Sequence, residues 1–307
     1  MTPEKLPKVS IITPTYNRAA YILETIASIQ QQTYSSWELI IIDDGSEDNT
    51  AEIIQQCKDA RIHFYKAGRI GIGGAIKNIG LEKATGELIA FIDSDDLWDP
   101  LKLEKQVAAL NKYPEAAFCM TGGYNFKEAG KPLEFFYKKN KGQLYGNIFV
   151  SIFKSEIAVF TQVLLFRKEC IDKAGKFKEA GSFSDVDFIA NLAFYFNAVV
   201  LYEPLLFRRL HKENYINTTW QKSYYAGIAS IRSFKNENKL PVALAYDALF
   251  RLHINFGEDC LLHKKRGTAV LNFCKAWRYK PFSIVPFKKM AKAVLRLEKN
   301  DTLPVII

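Results

Sequence analysis

Asp93, Asp95, Asp96 and Asp99 fall within seven consecutive positions of AFIDSDDLWDP, where an apolar run containing Leu88, Ile89, Phe91 and Ile92 gives out. Carboxylates this close repel one another unless positive charge sits among them. Asp99 has a local job, because Asp-Pro ahead of LKLEKQVAAL reads as a helix N-cap followed by proline at the first helical position. Asp93, Asp95 and Asp96 precede that cap. An Asp-x-Asp pair at the end of a buried strand can hold a hard divalent cation while a substrate's diphosphate completes the shell. Short acidic turns also occur without an ion.

In IIIDDGSEDNTAEII, Gly45 and Ser46 make a turn and Asn49 with Glu52 has capping-box spacing. That leaves Asp43 and Asp44 at a strand end, where a carboxylate can accept hydrogen bonds from a base or a ribose. GRIGIGGAIKNIG is a poor phosphate loop. Read from Gly71, the dinucleotide fingerprint needs Gly or Ala at 76 and meets Ile76, and no G-x-x-x-x-G-K-[ST] occurs. Its glycines still allow a ligand close to the backbone, with Lys77 placed to reach an anion. In SFSDVDFIANLAFYF, Ser184 and Asp187 have S-x-x-D spacing, so Asp185 and Asp187 read first as capping or dipole-complementing residues. His211, after LLFRRL, reads as a surface or packing histidine.

The elements that must position these residues alternate. Short apolar runs at VSIIT (9 to 13), ELIII (38 to 42), RIHFY (61 to 65), ELIAFI (87 to 92) and AAFCM (116 to 120) suit strands covered on both faces. Helical stretches lie between them at 20 to 32, 49 to 58, 73 to 84 and 100 to 112. The pattern predicts an α/β domain with a mainly parallel sheet. In such sheets the ligand crevice lies outside the carboxyl ends of the strands, so the loops after the first, second and fourth strands converge. Residues 126 to 160, rich in lysine and aromatics, read as a loop or lid followed by a short helix. VLLFR (163 to 167), a helix at 185 to 196 and a strand at 198 to 202 complete the first domain, 1–214. From 215 to 307 the pattern is helical.

Composition narrows the class. A chain of 307 residues with 48% apolar content can bury a sizeable core, and no run is long enough to span a membrane. MTPEKLPKVSII enters a strand pattern without a signal-peptide core, so export by that route is not expected. Five scattered cysteines with no C-x-x-C pair read as reduced packing residues of a cytosolic protein. The net charge of +9 is concentrated. Lys264 to Lys299 holds eleven Lys/Arg against Glu298 alone, and the rest of the chain sums to −1. No nucleic-acid-binding module accompanies that charge, so nucleic acid is not an expected partner. Phe273, Trp277, Tyr279, Phe282 and Phe287 among those cations match a segment lying in an anionic membrane interface.

Taken in order, VSIITPTYNR, ASIQQQTYSSWELIIIDDGSEDNT, AIKNIGLEKATGELIAFIDSDDLWDP, SDVDFIANLAF and RRLH resemble the inverting family 2 glycosyltransferases of the GT-A fold, over about residues 8 to 214. The resemblance implies a nucleotide-diphospho-sugar transferase-like α/β fold with a helical C-terminal region. It implies a metal-dependent enzyme, using Mg²⁺ or Mn²⁺, that moves a sugar from a nucleotide donor, UDP-linked by expectation, to a glycan or lipid-linked acceptor. Thr15, Tyr16, Asn17 and Arg18 would line the nucleotide site, with Asp43 and Asp44 at the uracil end and Lys77 near the phosphates. Asp93 and Asp95 would form the Asp-x-Asp element, with Asp93 and Ser94 toward the nucleotide-sugar and Asp95, Asp96 and His211 at the metal. Asp185 would be the general base. Two positions depart from the family's pattern, which has Arg where Lys77 stands and Glu where Ser184 precedes the base. The expected location is the inner face of a bacterial cell membrane, peripherally attached, in surface-polysaccharide assembly. The alternative is a catalytically silent nucleotide-sugar or glycan binder at the membrane surface.

Overall fold

Val9, Ile11 and Ile12 of the first strand and Leu39 to Ile42 of the second are buried almost completely, as strands covered on both faces require. The computed structural model describes residues 6–127, 131–137, 142–179, 184–211 and 215–294, with backbone alone at 215–219 and 294. The chain divides into two compact units, Met1–Ile152 with Ile157–Asn214, and Phe153–Glu156 with Tyr215–Ile307.

Up to Asn214 the chain order is β1 (Val9–Thr15), α1 (Ile22–Gln30), β2 (Trp37–Asp43), α2 (Thr50–Gln55), β3 (Ile62–Lys66), α3 (Gly73–Lys83), β4 (Leu88–Phe91), β5 (Leu97–Trp98), α4 (Lys102–Lys112) and β6 (Ala116–Phe126). Then come β7 (Pro132–Phe135), β8 (Gln143–Gly146), α5 (Phe149–Phe153), β9 (Leu164–Arg167), α6 (Ile171–Ala174), α7 (Ser184–Tyr195) and β10 (Asn197–Arg209). The sheet order is β3-β2-β1-β4-β9-β6-β10-β5, with β7 added to β6 and β8 to β10. Pairing is parallel among β1 to β4 and between β6 and β10, whereas β9 runs antiparallel between β4 and β6. β5 and β8 also pair antiparallel with β10, and β7 with β6, so the sheet is mixed where the pattern predicts a mainly parallel one, while the α/β architecture with flanking helices is as the alternation predicts.

Four local expectations are corrected. β3 is not covered on both faces: it closes one edge of the sheet, so Tyr65 and Lys66 are exposed. β6 and β10 run past their expected ends, through Gly122–Gly123 and through Pro204. Register shifts around Pro204 bring the carbonyls of Tyr202 and Leu206 against those glycines, where a Cβ would meet oxygen at 2.7 Å and 2.5 Å. The irregularity at Pro204 is a β-bulge between two long parallel strands. The Asn49–Glu52 capping box does not form, since Asn49 makes no side-chain cap bond. Asp48 replaces it, accepting from Thr50 N at 3.0 Å and Ala19 N at 3.1 Å. Asp99 is not the N-cap of α4 either: that place falls to Leu101, which makes no side-chain cap bond, and Asp99 instead accepts from Leu101 N at 2.9 Å in the turn that precedes the helix.

At the end of β2 away from the site, Glu38 is 3% exposed and accepts from Ser10 Oγ at 2.5 Å, Lys8 Nζ at 2.6 Å and Thr85 N at 2.8 Å. Burial alone would raise its pKa, but these donors outweigh it and hold the carboxyl at about 2.

The second unit contains α8 (Tyr215–Asn236), α9 (Val242–Leu262), α10 (Arg266–Tyr279) and α11 (Val285–Val294). Trp220, Phe256, Cys260, Phe273 and Ala276 form its core, with the Tyr224 and Phe256 rings stacked at 4.6 Å. Among the described residues, no helix is long and apolar enough to cross a membrane.

Candidate functional site

β1 and β2 end level with each other, Thr15 beside Asp43, and Asp44 N donates to Thr15 O at 2.9 Å. The loops beyond them are joined by side chains. Asn17, left-handed at φ 49°, donates from its backbone to Ser46 Oγ at 2.9 Å and accepts from Glu47 N at 2.8 Å. Arg18 N donates to Thr50 Oγ1 at 2.8 Å, and Arg18 Nε reaches the third loop at Asp95 Oδ2, 3.2 Å away. The three strand ends therefore open into one crevice.

Asp93, Ser94, Asp95 and Asp96 turn tightly there, with Asp96 N donating to Asp93 O at 3.1 Å. Each of the three carboxylates offers an oxygen within 4.8 Å of the others. Asp95 receives Arg18 and also His211, whose Nε2 lies 2.9 Å away. Asp96 accepts from Arg209 N at 2.9 Å, while Arg209 Nε donates to Asp95 O at 2.9 Å and Arg209 Nη2 to Glu24 at 2.7 Å. Asp93 is bonded by Gln162 Nε2. The electrostatics are uneven. Burial, together with the charges of Asp95 and Asp185, pushes Asp93 up to about 6, although Lys77 pulls the other way. Burial and the neighbouring aspartates push Asp96 well up too. Burial also works on Asp95, but His211 and Arg18 overcome it and hold that carboxyl below its ordinary value. A hard, all-carboxylate donor set whose members repel one another, with an imidazole beside it, fits Mg²⁺ or Mn²⁺.

At the other end of the crevice Asp43 is tied to Ser46 N at 3.2 Å. Asp44 accepts from Ile70 N at 2.5 Å, from Gly71 N at 3.0 Å and from Arg69 Nη1, whose guanidinium lies 3.7 Å over the Tyr16 ring. Gly45 makes this approach feasible: it sits at φ 76°, and a Cβ there would meet Arg69 N at 2.9 Å. Among the described residues, the Thr15 hydroxyl is buried with no hydrogen-bond partner.

Asp185 opens α7, and its carboxylate is held by two donors, Lys77 Nζ at 2.6 Å and Thr161 Oγ1 at 3.0 Å. Asp187 pairs with Lys178 at 2.7 Å. Two of the three glycines of α3 meet protein: a Cβ at Gly74 would lie 2.3 Å from Lys178 O and one at Gly80 2.3 Å from Ile12 Cγ2, whereas Gly73 faces open space. Arg18, Asp93, Asp95, Asp96 and His211 thus form one group, Tyr16, Asp44 and Arg69 a second, and Lys77, Thr161 and Asp185 a third, with Asp93 sensing the charges of both Asp95 and Asp185. Sequence reasoning missed Arg69, Thr161, Gln162 and Arg209. Arg209 stands within RRLH beside His211, which is the one signal that points to it; Thr161 and Gln162 precede an apolar strand and carry none.

The family model described as "Glycosyl transferase family 2" matches residues 10–164. TuaG of Bacillus subtilis, a glycosyltransferase named for teichuronic acid biosynthesis, is 41% identical over 132 residues, which is 42% of this chain and 52% of that protein. WfgD of Escherichia coli, a UDP-Glc:alpha-D-GlcNAc-diphosphoundecaprenol beta-1,3-glucosyltransferase, is 42% identical over 108 residues, 34% of this chain and 41% of the relative. The matches thus span about half or less of these curated relatives. Among solved structures, S. aureus TarS 1–349 in complex with UDP-GlcNAc superposes with a TM-score of 0.67 at 18% identity, covering 93% of this chain and 89% of that one. That likeness establishes the fold.

Proposed function

This chain belongs to glycosyl transferase family 2 and has the GT-A fold, and on that premise we propose that it is an inverting transferase moving a sugar from a UDP-sugar to a hydroxyl of a lipid-linked or glycan acceptor. The observation that carries the reading is the convergence of an acidic turn, Asp93 to Asp96, with a separately held carboxylate, Asp185, at the mouth of one sheet. A donor bound to UDP is supported by the name of WfgD and by the ligand of TarS. Tyr16, Asp44 and Arg69 are the groups suited to the base, through a π face, hydrogen-bonding groups and a cation. Thr15, Asn17, Asp43 and Ser94 complete the nucleotide-sugar wall.

Asp95, Asp96 and His211 would hold Mg²⁺ or Mn²⁺, with Asp93 toward the sugar. When bound, such an ion offsets the charge that develops on the departing diphosphate. The chain's own chemistry is proton removal. As the acceptor oxygen bonds to the anomeric carbon from the face opposite the diphosphate, Asp185 takes the hydroxyl proton. Arg18 and Arg209 keep the acidic turn in register while this happens.

We assign the transfer chemistry to 1–214 and attachment to an anionic membrane, on its cytoplasmic face, to the basic segment 264–299. Phe282 there is fully exposed, Ile284 is 62% and Phe287 48% exposed, with Lys280, Lys288, Lys289 and Lys292 nearby. Residues 295–299 lie outside the described residues. Such attachment brings the donor site to a lipid-linked acceptor, the substrate type in the name of WfgD.

Release of UDP from candidate UDP-sugars, with acceptor present and with Mn²⁺, Mg²⁺ or EDTA, tests the reading. Metal-dependent, acceptor-stimulated release is expected. Binding of UDP-sugars without turnover on any acceptor would favour the catalytically silent binder instead.

A further inference from the structure

We infer that Lys77 and Thr161 act as a two-pronged fork that orients Asp185 for proton transfer, so that Lys77 serves the base and not the donor's phosphates; this rests on the reading of Asp185 as the base. Lys77 Nζ donates to Asp185 Oδ1 at 2.6 Å and to Thr161 Oγ1 at 3.0 Å, and Thr161 Oγ1 donates to Asp185 Oδ2 at 3.0 Å. Each carboxylate oxygen is engaged by a different residue, and the two donors are themselves bonded. The triangle fixes the plane of the carboxylate. A lone aspartate in the first turn of a helix, 34% exposed at its side chain, has no such restraint.

The fork stands on rigid ground. The Lys77 side chain is 7% exposed, and its ammonium lies 5.3 Å from the Phe177 ring and 5.9 Å from the Phe91 ring. α3 is clamped around it, with Asn78 exchanging hydrogen bonds with the Phe177 backbone at 3.0 Å in each direction and Gly80 seated on Ile12. Thr161 is completely buried in a short 3₁₀ turn. Two of an ammonium's three donors are committed to Thr161 and Asp185, which leaves Lys77 little to offer a diphosphate. Asp185 keeps acceptor capacity, because a carboxylate has about four lone-pair sites and the fork uses two.

The step balances without further reagents. The acceptor oxygen forms its bond to the anomeric carbon, the bond to the diphosphate oxygen breaks with its electron pair, and the acceptor proton passes to Asp185. Lys77 enters the step only as a hydrogen-bond donor to Asp185 and Thr161. It and Thr161 are positioning residues.

The test compares Lys77→Met, Lys77→Arg and Thr161→Val in the full chain, measuring kcat, donor KM, the Kd for UDP with Mn²⁺ and the melting temperature. Lys77→Met and Thr161→Val should lower kcat by roughly 10- to 100-fold, as loss of an orienting partner does, with the Kd for UDP unchanged and partial recovery in Lys77→Arg. A weaker Kd for UDP with kcat intact in Lys77→Met would return Lys77 to the phosphates and overturn the inference. So would wild-type kcat in a folded Thr161→Val, which decides the matter alone should Lys77→Met fail to fold. Asp185→Asn separates the two levels: if it turns over normally the base assignment fails, whereas if it is inactive while both fork variants behave as wild type, only the fork fails.

Discussion

His211 Nε2 lies 2.9 Å from Asp95 Oδ2 across 116 residues of chain, and Arg18 Nε meets the same oxygen at 3.2 Å. Two donors from separate loops thereby keep one buried carboxylate charged between two that burial and repulsion drive toward the protonated form. Asp95→Ala is therefore expected to abolish metal-supported turnover and to weaken UDP binding in the presence of Mn²⁺. His211→Ala should cost less, about 10- to 100-fold in apparent metal affinity. Turnover titrated against metal concentration checks both, and near wild-type activity in Asp95→Ala would remove the metal assignment.

Asp185→Asn should slow transfer by about 10² to 10⁴, the usual cost of losing a general base, with donor binding nearly intact. A residue that served only the start of α7 would show the reverse, a lower melting temperature and little change in rate per folded molecule. Measuring turnover and melting temperature on the same preparation distinguishes them.

Glu38 supplies a pH-dependent share of stability remote from the site. Its folded pKa, about 2, lies below its ordinary value of 4.5. The contribution is therefore fully present above pH 4.5 and is lost as pH falls from there toward 2. Glu38→Gln should destabilise the protein by about 1–3 kcal/mol at pH 7, because it weakens charge-assisted bonds to Lys8, Ser10 and Thr85. The gap between wild type and variant, followed by denaturant unfolding from pH 7 downward, should narrow through that window; a constant gap would contradict the assignment.

Phe282→Ser with Ile284→Ser, in the full chain, should reduce recovery with anionic vesicles while leaving the melting temperature in place, since both side chains are largely exposed. Salt should weaken wild-type recovery. Equal, salt-insensitive recovery on neutral and anionic vesicles would argue against electrostatic attachment by the basic segment.

Where neighbouring residues carry the chemistry, the sequence is readable by itself. Apolar β-branched runs alternating with amphipathic stretches specify an α/β sheet, because burial on both faces selects those side chains over short spans. Asp93, Asp95 and Asp96 announce themselves because like charges at the end of a buried run need a reason to be there. The concentration of cations between Lys264 and Lys299 is likewise a property of composition. Tertiary structure decided the rest. Nothing in VLLFR distinguishes an antiparallel from a parallel strand, since a strand buried on both faces has the same pattern either way; β9 takes its direction from β4 and β6. Arg69, Gln162 and Arg209 are ordinary polar residues until folding sets them against Asp44, Asp93 and the Asp95–Asp96 turn. Lys77 carries a charge that sequence alone directs toward any anion. Its partner across 108 residues is Asp185, because hydrogen bonds act over about 3 Å in space and are indifferent to separation along the chain.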